Sequence, residues 1–485
     1  MGSSGSVLRG ILALSLPMTV ANLVQQSYLI ADSVIVGRYV GVAGLAAVGA
    51  AQPVYFLVNS VFLGLLNGFT IRLANLTGRG DLRTRDQTAL ALGGFVLLWS
   101  LGCVLVVVFG AGPLLAAVGI AGPTAAGGQS YLDTLAFGVA PIFGLGALTA
   151  FFRGLGNTRS IMAVLAASSL LNIVLAWLFV GGLGMGVRGA ALGTVCASAL
   201  SCTAGLILAG RRHTIHAYRA PVSACRRQLG RALRLGLPMG VQFVFLAVGN
   251  LVLISLVAPF GAAAIAAMSV AGRLETVTGR VFLDISGAVT VFVARGTGAG
   301  DILGARRAVR VSLASGLVLT IAVTAAVLLG RAPVAHLFTG DTAVVDILNT
   351  YILITYPFFG FYTLMAVAHG FLNGLGRTTL PLVCTIVSFV VARVPAAAVL
   401  RGPLGLPGIM WAVDIGWIVG AAFTAWAVHR HLRRLAGTGA GAPHAQRQEG
   451  RHGEHDGADR LDDECRRDQC EVERLGDPEK PDGQR

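Results

Sequence analysis

Apolar runs of about 20 residues or more recur along almost the whole chain, and a run of that length can cross a hydrocarbon core as a helix. In lipid every backbone amide and carbonyl must be satisfied internally, which leaves helices or the strands of a closed barrel. These runs lack the alternation of barrel strands, and the gaps between them are short. The chain therefore predicts an all-α integral membrane protein with about twelve spans. They lie near residues 11–37, 44–74, 89–113, 128–150, 161–181, 189–209, 230–258, 262–294, 309–330, 345–371, 380–401 and 408–430. The composition agrees, with 55% of the 485 residues hydrophobic and 12% charged. The first run is too long for a cleavable signal and lacks its small-residue cleavage pattern, so it is expected to remain as the first span.

Arginines orient the spans, because basic residues in short loops stay on the cytoplasmic side. Arg9, Arg79, Arg83, Arg85, Arg153, Arg159, the arginines of 211–234, Arg295, Arg306, Arg307, Arg310, Arg377 and those of 430–434 share one side. Arg38, Arg188, Arg331 and Arg401 lie opposite. Both termini are thus expected in the cytoplasm of a multi-pass protein of the cell membrane. The net charge of +14 reads as topology and contact with anionic lipid headgroups, with no nucleic-acid partner called for.

The chain also repeats itself at an offset of about 220 residues. LeuSerLeuPro ending at Pro17 returns as LeuGlyLeuPro ending at Pro238, and Gly78, Gly80 and Asp81 return as Gly298, Gly300 and Asp301. Gly154, Leu155, Gly156 and Thr158 return as Gly374, Leu375, Gly376 and Thr378, and Gly186 with Gly189 as Gly405 with Gly408. Two like-oriented lobes follow, an N-lobe over 8–210 and a C-lobe over 230–435, with the substrate cavity of an alternating-access transporter between them. An Arg-rich cytoplasmic loop over 211–229 joins them, and the stretch from Arg226 to Arg234 is amphipathic and expected on the inner leaflet. The polar tail over 436–485 is expected to be disordered.

Asp32 is a carboxylate inside the first span, 15 residues beyond Pro17. An ionisable group there costs about 2.5 to 3.5 kcal/mol on insertion scales, so it ordinarily faces a wet cavity or carries a proton or ion. Gln25, Tyr28 and Asp32 share one helix face. Arg280 and Asp284 have the spacing of an ion pair, expected as a lock between helices with cavity lining as the alternative, and Glu275 is a candidate for facing cationic cargo or the outer water interface. His369, Arg393 and Asp414 are read as packing groups with no identifiable partner. Cys103, Cys196, Cys202 and Cys384 lie in apolar runs without paired spacing, and Cys465 and Cys470 lack a second ligand pair, so neither a disulfide framework nor a metal is expected.

These residues resemble the multidrug and toxic compound extrusion (MATE) family over about residues 8–432. The resemblance rests on Pro17, Tyr28, Asp32, Gly37 and Gly41 leading into LeuAlaAlaValGly at 45–49, GlyArgGlyAsp at 78–81, and ArgGlyLeuGlyAsnThrArg at 153–159. Asn172, GlyMetGlyValArgGlyAlaAla at 184–191 and ArgValPro at 393–395 extend it. It implies a cation-coupled antiporter that expels amphipathic, often cationic organic compounds. An acid in the first span and none early in the seventh look like the DinF-like branch, in which the first-span Asp takes part in coupling. That role carries over to Asp32, with Tyr28, Asn172 and Thr194 as matching neighbours, and the substrate-cavity candidates beside them are Gln25, Glu275, Arg280 and Asp284.

One departure bears on the ion. Many relatives carry a second Asp four residues after the fifth-span Asn; this chain has Ala176 there, and Gly146 at a further polar position. Sodium calls for several hard oxygen ligands, whereas a proton needs one titratable group, so a proton gradient is expected to drive transport, sodium being the alternative, with no cofactor. A flippase or exporter of lipid-linked sugars or polysaccharide, as similar relatives are, is the alternative function, and it would be expected to have a more cationic cavity and often two further spans, neither visible in the sequence. An enzyme is not indicated, because no HisGluXaaXaaHis pair, facing catalytic acids or phosphate-cradling loop appears.

Overall fold

The computed structural model describes residues 4–117, 122–212, 221–338 and 341–437. The chain separates into two units, Met1–Val428 and His429–Arg485, of which the second is described only through Gly437. The predicted tail lies outside the described residues from 438 onward.

The first half runs α1 (Ser4–Tyr39), α2 (Val42–Arg79), α3 (Leu82–Ala117), α4 (Gly122–Phe137), α5 (Val139–Gly154), α6 (Thr158–Ala176) and α7 (Gly186–Arg212). The second runs α8 (Val222–Val257), α9 (Ala262–Gly298), α10 (Ile302–Leu329), α11 (Arg331–Phe338), α12 (Thr342–Thr355), α13 (Phe359–Gly374), α14 (Thr379–Thr385), α15 (Arg393–Leu404) and α16 (Leu406–Gly437). No strand occurs among the described residues. Nine helices there are long and apolar enough to cross a membrane, ten if the bent pair α4 and α5 is one span. Adding α2 and α8, 38 and 36 residues long, gives the twelve read from the sequence.

Each half repeats the same local devices. Gly41 and Gly261 have φ of 83° and 93°, Gly80 and Gly300 72° and 76°, Gly156 and Gly376 73° and 74°, and Gly186 and Gly405 61° and 63°. Only glycine enters this left-handed region without a Cβ clash, which is why the repeat is legible in glycines. After Gly80 the Asp81 carboxylate accepts from the Thr84 amide at 2.9 Å, and after Gly300 the Asp301 carboxylate accepts from the Gly304 amide at 2.7 Å, so each opens the next helix with a cap. The Asp81 carboxyl sits below its ordinary range: partial burial pushes it up, but the Thr84 hydrogen bonds and the Arg72 and Arg79 charges outweigh that.

Tertiary contacts repeat as well. Thr70 Oγ1 donates to the Ala150 carbonyl at 3.3 Å, and Thr290 Oγ1 to the Gly370 carbonyl at 3.0 Å. The fourth span bends by 60° at Gly138, and its counterpart breaks between α12 and α13 in a 3₁₀ turn containing Pro357. The fifth and eleventh spans carry π-helical segments at Trp177–Gly182 and Ile386–Ala392. Phe62, Phe69, Phe95, Phe143 and Phe152 fill the core of the first half, and Leu348, Tyr351, Ile352 and Tyr356 that of the second. Leu97, Leu98, Phe109, Leu329 and Val399 point outward, as apolar side chains do where lipid is the solvent.

Two expectations change. Residues 222–229, read as loop, already belong to α8, and the amphipathic stretch from Arg226 to Arg234 is the start of the seventh span helix. No glycine–proline break separates them, Pro238 is absorbed inside the helix, and Gln228 is held by the Arg72 guanidinium at 3.1 and 3.2 Å. Likewise α16 continues to Gly437, past the expected boundary at 435.

Candidate functional site

Polar groups gather in the interior of each half and at the junction between them. In the first half, Asp32 on α1 is half-buried, and its Oδ1 is buried with no hydrogen-bond partner among the described residues. Tyr28, one turn earlier, and Tyr131 of α4 feel its charge, and Tyr55 of α2 stands within electrostatic reach of both phenols. An orphaned carboxylate oxygen among neutral phenols is an acceptor awaiting a proton, a cation or water. Gln25 is exposed, although it shares the helix face with Tyr28 and Asp32.

Asn172 and Thr194 are brought together: Asn172 Nδ2 donates to Thr194 Oγ1 at 3.0 Å, and the threonine hydroxyl donates to the Ala190 carbonyl at 3.3 Å. The Asn172 Oδ1 remains buried without a partner among the described residues, so this pair also keeps an open acceptor there. Both residues lie on α6 and α7, which pack on α1. Ala176, one turn beyond Asn172, is fully buried in the apolar cluster of Ile35, Val36, Tyr131 and Val180, so a methyl group occupies the position of the missing acid. At Gly146 a Cβ would stand 3.2 Å from Leu66 Cδ1, which leaves little room for a polar side chain.

In the second half, Glu275 of α9 accepts a hydrogen bond from the Tyr351 hydroxyl of α12. Arg393 and Asp414 lie within electrostatic reach of that carboxylate, as do the phenols of Tyr356 and Tyr362. Asp414 is 0% exposed, and among the described residues neither of its oxygens is hydrogen-bonded and the Arg393 Nε is also unpartnered, with the guanidinium 5.3 Å from the Phe389 ring centroid. Glu275 therefore belongs to a polar interior cluster. Arg393 and Asp414, which had no identifiable partner in the sequence, lie within electrostatic reach of Glu275 without a hydrogen bond or ion pair to it among the described residues. His369 meets Gln242 at 3.5 Å and Thr424 at 3.4 Å.

Asp284 joins the two halves. Asn22 Nδ2 of α1 donates to Asp284 Oδ1 at 2.7 Å, Arg280 stands at 3.8 Å, and the buried Arg153 guanidinium of α5 is within electrostatic reach. Sequence spacing exposed the Arg280 and Asp284 pair but not its first-half partners. Tyr55 and Tyr131 were also missed; tyrosine within an apolar span was the available signal.

Twofold-repeated membrane helices with polar groups at their centre are the architecture of a membrane transporter. The sequence profile of the MatE family matches twice, at residues 17–178 and 238–399, once in each half. The chain is 30% identical over 450 residues to the probable multidrug resistance protein NorM of Bradyrhizobium diazoefficiens, covering 88% of this chain and 94% of that one. It is 24% identical over 422 residues to a protein of Shewanella oneidensis named FAD transporter, covering 85% and 92%. Among solved structures, the outward-facing conformation of a multidrug resistance MATE family transporter of the MOP superfamily has a TM-score of 0.81 at 23% identity, covering 89% of this chain and 98% of that one. The bent form of the Vibrio cholerae MATE transporter VcmN has a TM-score of 0.82 at 22% identity, with the same coverage. The chain belongs to the MatE family of multi-pass membrane transporters.

Proposed function

We propose that this protein is a proton-driven antiporter of the DinF-like branch that exports amphipathic, often cationic organic compounds by alternating access of an N-lobe over 8–210 and a C-lobe over 230–435. Its Arg-rich face and both termini are cytoplasmic in this reading. The observation that carries it is the orphaned Oδ1 of Asp32 inside the first span, beside Tyr28 and Tyr131. A protonated Asp32 is neutral and tolerates a closed, dry cavity; an ionised one favours water or a cationic substrate. The two lobe arrangements then differ in affinity for proton and cargo, which is what exchange requires. Asn172 and Thr194 would hold the neighbouring helices in register for this switch, while Glu275, Arg280, Asp284 and Gln25 would set the polarity met by cargo. Ala176 supports proton over sodium, because no second carboxylate stands one turn beyond Asn172 to complete a metal-like shell.

The test is ethidium efflux from proteoliposomes under an imposed pH gradient or an imposed sodium gradient, in the parent protein and in Asp32→Asn. Efflux driven by the pH gradient and abolished in the variant is expected. Sodium-driven efflux would overturn the choice of ion, full activity of Asp32→Asn would overturn the role of that residue, and transport of FAD or a lipid-linked sugar in place of ethidium would overturn the cargo class.

A further inference from the structure

A cavity of about 270 Å³ lies at the Arg-rich face, between α1, the turn into α6 and the end of α9. Gly10, Ala13, Asn157, Arg159, Phe292 and Arg295 are among the residues that line it. Pockets for drug-sized molecules run from roughly 300 to 1,000 Å³, so this one suits a smaller group than an exported cargo. Part of its wall is apolar, and its charged lining is two arginines with no acid beside them. The Arg295 guanidinium crosses from the second half to lie on Gly156 of the first, where a Cβ would overlap its Nη1. Among the described residues neither arginine makes an ion pair or a side-chain hydrogen bond. The carboxylates that follow α2 and α9 on this face are occupied elsewhere, Asp81 by the Thr84 amide and Asp301 by the Gly304 amide.

The repeat shows that the fold does not dictate either charge at its position. Asn75 stands where Arg295 does in the other half, and Thr379 where Arg159 does, while the cations of that side, Arg72 and Arg377, match Phe292 and Asn157. There the polar groups are engaged within the protein: Asn75 Nδ2 donates to the Ala294 carbonyl at 3.3 Å, and Arg72 holds Gln228 at 3.1 and 3.2 Å. One side of the junction is thus joined by internal hydrogen bonds, and the other presents two uncommitted guanidiniums around a cavity. A guanidinium is a planar, permanently charged fork that matches phosphate oxygens, and basic pockets between membrane helices at the cytoplasmic side take lipid headgroups. Ala13 and Phe292 suit the apolar part of such a molecule as the arginines suit its phosphate.

We propose that this cavity binds a phosphate group, that of an anionic phospholipid in the leaflet at the Arg-rich face, with Arg159 of the first half and Arg295 of the second holding it between them. The site goes beyond the transport reading and requires neither its coupling ion nor its cargo. Native mass spectrometry of the full-length protein in detergent, titrated with phosphatidylglycerol or phosphatidylcholine of equal chain length, counts the lipids bound. The first phosphatidylglycerol is expected to bind at least about tenfold more tightly than phosphatidylcholine, and Arg159→Gln and Arg295→Gln each to weaken it by about that factor. Ala13→Phe narrows the cavity at an exposed position without changing charge and is expected to weaken the same lipid. Arg83→Gln removes an exposed arginine of the same face outside the cavity and should stay within about twofold of the parent. Because Arg159 and Arg295 are both exposed, either variant carries the test if the other does not fold. Retention of the lipid against excess inorganic phosphate would make the lipid the occupant, and its displacement would make the free anion an occupant of the same phosphate site. Equal binding of the two lipids, unchanged phosphatidylglycerol binding in the folded arginine variants or in Ala13→Phe, or an equal loss in Arg83→Gln would overturn the site. Failure of efflux under every gradient would leave these affinities unchanged, so loss of the transport reading is distinguishable from loss of the phosphate site.

Discussion

Replacing Asn22 by Leu removes the amide that reaches Asp284 across the halves at 2.7 Å while keeping a similar side-chain volume. Asp284 is 3% exposed, so water does not readily replace the lost donor. What remains is Arg280 at 3.8 Å, the field of Arg153 and the Thr19 hydroxyl one turn before Asn22's position on α1. A hydrogen bond to a charged group contributes about 1.5 to 3 kcal/mol, and about 1.4 kcal/mol is tenfold in an equilibrium. If the bond exists only while α1 and α9 meet, the variant loses roughly ten- to a hundredfold of its preference for the closed arrangement. A cysteine at Ala232, fully buried on α8 where Gly68 meets it, reports this through labelling by a membrane-impermeant maleimide from the Arg-rich side. When opening and closing are fast, the labelling rate follows the open fraction, so Asn22→Leu should label roughly ten- to a hundredfold faster. A rate within about twofold of the parent, in protein that unfolds at the parent temperature, would refute this reasoning, because the bond would then persist in both states or contribute nothing. Asp284→Asn keeps an acceptor without the charge and should produce a smaller change.

Ala176→Asp places a second carboxylate one turn beyond Asn172 and should make efflux respond to sodium; an unchanged ion dependence in proteoliposomes would sink the inference drawn from Ala176. Arg393→Leu removes the positive charge within electrostatic reach of Glu275 and Asp414 and should lower the thermal unfolding temperature in detergent; an unchanged temperature would contradict a stabilising role for that charge. Asp81→Ala removes a helix cap at a cost of about 1 kcal/mol. The folded Asp81 carboxyl lies below its unfolded value, so its contribution is full above the ordinary carboxylate range and fades as pH falls through the folded value. The stability gap between parent and Asp81→Ala should accordingly narrow on acidification, and a gap that widens would contradict the cap.

The bilayer-spanning class, the twelve spans and the repeat at about 220 residues were legible in the sequence, because run length, arginine placement and glycine spacing are local quantities that lipid and backbone sterics act on directly. Asp32 was legible for the same reason: a carboxylate in an apolar run stands out without knowledge of its neighbours. Which groups surround it was not legible, since Tyr55 and Tyr131 come from α2 and α4 and depend on how each helix is rotated about its axis. Asn172 and Thr194 were named through a family resemblance; their mutual bond needed the packing of α6 on α7. Arg393, Asp414 and Glu275 lie more than a hundred residues apart at the extremes and converge only when α9, α15 and α16 are assembled. The contact of Gln228 near the start of α8 with Arg72 of the other half was likewise out of reach of the sequence. Pattern along one chain determines which segments enter the membrane and which residues are costly there, and the three-dimensional crossing of helices alone decides which of those residues meet, because that depends on side-chain fit summed over contacts distant in sequence.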